Sequence, residues 1–112
     1  MRLYLAGPMR GLPDFNFPAF KAATAKLRAE GHVVFNPAER DEQMYGADFV
    51  RGTTGDPKEI PQFSLRDAMK ADCSWICDHG EAIYLLPGWE KSKGATAERA
   101  LGVALGLLIV EL

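Results

Sequence analysis

"YLLPGWEKSKGATAERA", residues 84–100, runs from an apolar stretch through Pro87, Gly88 and Gly94 into a helical pattern. Read as strand, glycine-rich turn and helix, it decides the fold, because such a junction belongs to an open parallel sheet with a helix crossing back over it. The free N–H groups at the start of that helix suit an anionic ligand. Glu98 is the odd member. A carboxylate one turn inside a phosphate-type pocket repels phosphate unless it serves another part of the same ligand.

Working outward, "RLYLAG" (2–7) is an apolar run closed by glycine and fits a buried first strand. It is too short to be a secretory leader. "PMRGLPDFN" (8–16) is a loop by its Pro and Gly content. Asn16 offers an N-cap, Pro18 fits the first turn, and Phe20, Ala23 and Leu27 follow at helical spacing to a stop at Gly31. "HVVFNPA" (32–38) reads as a second strand ended by Asn36-Pro37. Residues 39–61 show little periodicity and read as a long loop, a lid or an oligomer contact. Ser64 with Asp67 marks the next helix, to about Asp78. A strand at 81–88, a helix at 95–105 and a strand at 107–112 complete the chain. The order predicts an α/β domain over residues 1–112: a small Rossmann/flavodoxin-like parallel sheet of four to five strands with helices on both faces. Ligands of such sheets bind beyond the carboxyl ends of the strands. That edge collects Gly7 to Gly11, Asn36, and Pro87 to Gly94.

Composition narrows the partners. With 112 residues the chain is one domain, able to bury roughly two-thirds of its unfolded surface without staples. Its net charge of −2 provides no basic field for a nucleic-acid backbone, so stable nucleic-acid binding is not expected and a small anionic ligand fits better. No run reaches membrane-spanning length. Cys73 and Cys77 read as reduced thiols of a cytoplasmic protein. A zinc site would need His32 or His79 beside them without a recognised spacing, so neither metal nor other cofactor is expected.

Several side chains carry possible chemistry. Asp72 falls on an apolar stripe with Leu65, Met69 and Ile76, where a carboxylate must be paired, protonated or at the rim of a cleft. A partner such as Arg66, or a role as a backbone cap, is the structural alternative. Glu98 alone reads as an exposed helix residue pairing with Lys91 or Arg99. Two carboxylates aimed at one pocket instead match glycosidic bond cleavage, where one attacks the sugar carbon and the other handles the leaving group. Tyr4 in the first strand needs a partner for a buried hydroxyl, and a helix carboxylate is one candidate. Arg10, beside Gly7 and Gly11, suits phosphate through its planar fork, though a solvated loop charge explains it equally. Trp75 and Trp89 are core residues or stacking surfaces.

"YLAGPMRG" (4–11), "RDAMKADCSWI" (66–76) and "SKGATAERALGVALG" (92–106) together resemble the three signature segments of the nucleoside 2-deoxyribosyltransferase-like superfamily. "AGPMRG" and "LLPGWEKSKGA" are most like a small, phage-associated domain family of unassigned function. The resemblance implies that Glu98 is the nucleophile at the anomeric carbon of 2-deoxyribose, that Asp72 near the base is a general acid or handles water, and that Tyr4 orients Glu98. It also implies that Arg10 and Ser92, with the backbone at Gly7, Gly11 and Gly94, contact a 5′-phosphate. Ser92 stands where the transferase branch commonly has aspartate, which favours the branch hydrolysing deoxynucleoside 5′-monophosphates. Pro8 replaces a phosphate-binding serine of that branch, and with Leu112 last, its C-terminal serine has no counterpart. The expected protein is thus an N-glycosidase acting on a deoxynucleotide, without cofactor, as a homo-oligomer. The alternatives are base exchange between nucleosides and a non-catalytic nucleotide-binding domain.

Overall fold

The apolar run near the start of the chain forms β1 (Arg2–Ala6), and the alternation along it sets the two faces of the protein. Leu3 and Leu5 point to one side, Tyr4 and Ala6 to the other, and all four are buried. A strand covered on both faces sits inside a sheet. β1 is flanked by β2 (Val33–Phe35) and β3 (Ala82–Leu85), both parallel to it, with Tyr4 opposite Phe35 on one side and Ile83 on the other. β4 (Leu108–Glu111) pairs with β3, giving a four-stranded parallel sheet of order β2-β1-β3-β4. The computed structural model describes all 112 residues. Its α/β architecture is compatible with a small Rossmann/flavodoxin-like fold.

Four helices connect the strands: α1 (Phe17–Ala29), α2 (Pro37–Tyr45), α3 (Leu65–His79) and α4 (Lys93–Ala104). Phe17, Phe20 and Leu27 of α1 pack on the Leu3 and Leu5 face. Ile76 of α3 and Ala95 of α4 pack on the Tyr4, Ile83 and Leu85 face. Complete burial of a side chain such as Phe20 or Ile76 stabilises the fold by about 1.5–3 kcal/mol. Ser64 caps α3, its Oγ accepting from the Asp67 N–H at 3.2 Å, as the spacing predicts.

Three local expectations are corrected. Residues 39–61 are not one loop, because α2 takes their first part. Asn36-Pro37, which reads as the end of a strand, is also the start of that helix: Asn36 Oδ1 accepts from the Ala38 N–H at 2.8 Å, and Pro37 occupies the first turn. α4 begins at Lys93 rather than residue 95, because Ser92 is its N-cap and accepts from the Ala95 N–H at 3.1 Å. Asn16 precedes α1 but its side chain does not cap it. Its Nδ2 donates to the Pro8 carbonyl at 2.9 Å, and its own φ is +63°.

Asn16 closes a left-handed turn that also contains Asp14 and Phe15, with φ of +54° and +51°. Each such residue costs roughly 1–2 kcal/mol, and a bulky one like phenylalanine is rarely found there. Contacts from elsewhere hold the turn. Asp14 N–H donates to the Thr53 carbonyl at 3.0 Å, Asp14 Oδ1 accepts from Gly52 N–H at 2.7 Å, and Gly11 N–H donates to the Gly55 carbonyl at 3.0 Å. Gly55, at φ +93°, lies so close to Leu12 that a Cβ there would overlap its backbone. The first loop and the segment after α2 are therefore clasped to each other.

Candidate functional site

From β1 the chain passes through α1 to β2 on one side, and only later to β3 on the other, so the switch point lies between β1 and β3. The two strand ends approach closely there: a Cβ on Gly7 would stand 2.7 Å from Leu86 Cβ. Beyond them opens a cavity of about 700 Å³. Tyr4, Gly7, Arg10, Gly11, Asp72, Ser92, Gly94 and Glu98 all line it. The eight residues singled out from the sequence thus share one space.

The cavity has an acidic floor. Tyr4, Glu98 and Asp72 come from β1, α4 and α3, and are 0%, 6% and 5% exposed. The Tyr4 hydroxyl donates to Glu98 Oε2 at 2.6 Å, so the strand fixes the carboxyl of the helix. Burial pushes the Glu98 carboxyl up to about 8; the Tyr4 hydrogen bond opposes this, and the neighbouring charge of Asp72 adds to it. Asp72 is pushed up to about 6, again chiefly by burial, with the Tyr4 hydroxyl and the positive charge of Arg40 acting against the rise. Burial, then the Glu98 carboxylate, hold the Tyr4 phenol well above its ordinary range. Asp72 does not pair with Arg66: its Oδ1 is buried without a hydrogen-bond partner.

A third carboxyl, invisible in the sequence, joins them. Asp41 of α2 is 4% exposed and lines the same cavity. Arg40 Nη1 donates to its Oδ1 at 3.2 Å. Burial pushes Asp41 up to about 7; the Arg40 bond opposes the rise and the charge of Asp72 supports it. Reading a helix from Pro37 would have found it, because Asp41 lies one turn after the buried Pro37 and Ala38. These carboxyl groups do not converge as a metal site would require.

The rim is cationic. Arg10, Lys91 and Lys93 line the opening, are exposed, and form none of the chain's ion pairs. Between them lies the start of α4, where the N–H groups of Lys93 and Gly94 precede any intrahelical acceptor. Ser92 has its oxygen engaged as a cap, which leaves its O–H free to donate. The remaining wall is apolar, with Met9, Phe15, Phe49, Ile60, Phe63 and Met69. Neither tryptophan lines the cavity. Trp75 packs on Phe35 with ring centroids 5.2 Å apart, and Trp89 lies under the Arg99 guanidinium at 5.2 Å.

Fold and cavity define the class: an α/β domain with a pocket at its switch point, acidic within and cationic at the mouth. The sequence profile of the family described as "Domain of unknown function (DUF4406)" matches residues 1–111, and the chain belongs to that family. No curated protein and no solved structure matches the chain. No helix is long and apolar enough to cross a membrane.

Proposed function

We propose that this protein is an N-glycosidase related to the nucleoside 2-deoxyribosyltransferase-like superfamily. It hydrolyses the bond between base and sugar in a 2′-deoxynucleoside 5′-monophosphate. The observation that carries this reading is the 2.6 Å bond from Tyr4 to a buried Glu98, in a cavity that also holds Asp72 and opens between unpaired cations. Arg10, Ser92 and the N–H groups opening α4 take the phosphate; Lys91 and Lys93 add charge. Glu98 then meets the sugar, which gains positive character as the base departs. One pocket thus holds an anion at its mouth and a developing cation on its floor.

The proton accounting follows from the two carboxyls. Near neutral pH, Glu98 retains its proton longer than Asp72, since its carboxyl is raised to about 8 and that of Asp72 to about 6. Glu98 passes this proton to Asp72, and its freed oxygen bonds to C1′ as the C1′–N bond breaks. Asp72 hands the proton to a ring nitrogen of the departing base. Water then attacks C1′, gives its proton to Asp72 and releases Glu98. The free thiols of Cys73 and Cys77 fit a cytoplasmic protein, and the exposed Val103, Leu105, Leu108 and Leu112 beside the open edge of β4 fit a homo-oligomer.

The test is incubation with a panel of deoxynucleoside monophosphates, with free base followed by chromatography. Wild type should release base; Glu98→Ala should release none while keeping much of the ligand affinity, because a nucleophile acts chiefly in the transition state. Binding without release from any of them would establish a binding domain. Transfer of deoxyribose to an added base in preference to water would establish base exchange.

A further inference from the structure

Asp41 has no part in the mechanism above, yet it is buried in the same cavity and offers an open oxygen. Its Oδ1 accepts from Arg40, while Oδ2 has no protein partner. Asp72 Oδ1, unlike Asp41 Oδ2, is fully buried as well as unpartnered. Glu98 differs, with Oε2 already engaged by Tyr4. The free cations cannot answer these acceptors, because Arg10, Lys91 and Lys93 are exposed at the mouth. Asp41 and Asp72 come from different helices and are close enough for the charge of one to raise the other. A buried acceptor without a donor is unfavourable, so a polar edge of the ligand that answers Asp72 improves the site, and Asp41 Oδ2 in the same cavity is open to accept from it.

Resting on the glycosidase reading, we infer that Asp41 is a specificity-determining residue, which with Asp72 selects bases carrying an amino group beside a ring nitrogen. Such an edge presents N–H groups to Asp41 Oδ2 while the neighbouring nitrogen receives its proton from Asp72. With Asp41 ionised, an oxo group in the same place turns lone pairs toward its carboxylate, and the ring nitrogen beside it already carries hydrogen and cannot take the proton from Asp72. Adenine-type and cytosine-type bases have the favoured edge; hypoxanthine and uracil are their oxo counterparts.

The experiment compares kcat/KM for base release from dAMP with dIMP, and from dCMP with dUMP. Wild type should favour the amino member of each pair on the order of 100-fold, the effect of losing one hydrogen bond to a charged acceptor. Asp41→Asn, whose amide can donate as well as accept, should narrow the gap to about tenfold or less. Equal rates within the wild-type pairs, or a gap unchanged in Asp41→Asn, would overturn the inference while leaving the glycosidase reading intact. Release of base only from nucleotides outside these four would likewise overturn it; release from no nucleotide of the panel would instead remove the glycosidase reading, and calorimetric affinities for the same four nucleotides then decide. An amino preference that Asp41→Asn loses supports the acceptor pair; equal or absent binding overturns it. If Asp41→Asn does not fold, the wild-type pairs alone decide by the same criterion.

Discussion

Replacing Glu98 by glutamine should change how stability depends on pH. The glutamine side chain has nearly the same shape, and its carbonyl oxygen can still accept from Tyr4, so the packing survives while the ionisation is removed. In wild type the folded carboxyl is raised to about 8 from 4.5. The folded state therefore binds more protons than the unfolded chain between those values, and stability falls as pH rises through that window. At 1.36 kcal/mol per pKa unit, ionising Glu98 within the fold costs on the order of 5 kcal/mol. In a domain of this size that corresponds to roughly 15–25 °C of Tm. Asp41 and Asp72 are raised in the same direction, so the variant keeps a slope, but a shallower one. Glu59 and Glu81, held below the ordinary range by backbone hydrogen bonds, act in the opposite direction but at lower pH. Melting followed by circular dichroism from about pH 5 to 8.5, the span of that linkage, should show Glu98→Gln gaining on wild type throughout and ending well above it. Parallel curves would mean that Glu98 is not buried as a carboxylic acid, and the proton accounting would fail with it.

Base release should follow a bell in kcat/KM, falling below about 6 as Asp72 takes a proton and above about 8 as Glu98 loses its own; the alkaline limb is diagnostic, because a phosphate monoester itself titrates near 6. Arg10→Ala should weaken binding of a deoxynucleoside monophosphate by roughly 10- to 150-fold, the equivalent of a charge-assisted contact worth about 1.5–3 kcal/mol, and leave the matching nucleoside almost unaffected. Equal losses in calorimetry would place the phosphate elsewhere. Gly55→Ala should destabilise the fold by about 1–3 kcal/mol in urea denaturation, since its Cβ would overlap the Leu12 backbone; an unchanged midpoint would show that the clasp between the two segments is loose.

Much of this architecture is written in local patterns. β1 and β3 are apolar runs with glycine near their ends, and α3 has Ser64 as cap and an apolar stripe that already includes Asp72. The grouping of Tyr4, Arg10, Asp72, Ser92 and Glu98 was legible too, since each lies on β1 or near the carboxyl edge that strand order selects. α2 was hidden because its sequence, "PAERDEQMY", has few apolar residues, and one of its buried positions is the charged Asp41. Burial of a charge there depends on α1 and α3 packing around it, which no local pattern records. The left-handed turn at 14–16 has the same character. Asp and Asn tolerate that conformation, but Phe15 adopts it only because Gly52, Thr53 and Pro8 hold the residues beside it.

Tyr4 has a consequence that reaches past the cavity. Its ring is among the largest fully buried side chains, and it sits on a strand hydrogen-bonded on both edges, in register with Phe35 and Ile83. A slip of β1 by one residue would send that ring through the sheet to the α1 face and bring a leucine in its place. The hydroxyl that holds Glu98 is thus an alignment gauge for the whole sheet. Any chain that achieves the Tyr4–Glu98 bond has already threaded its central strand correctly, whereas the cations at the mouth can be exchanged without the sheet registering the change.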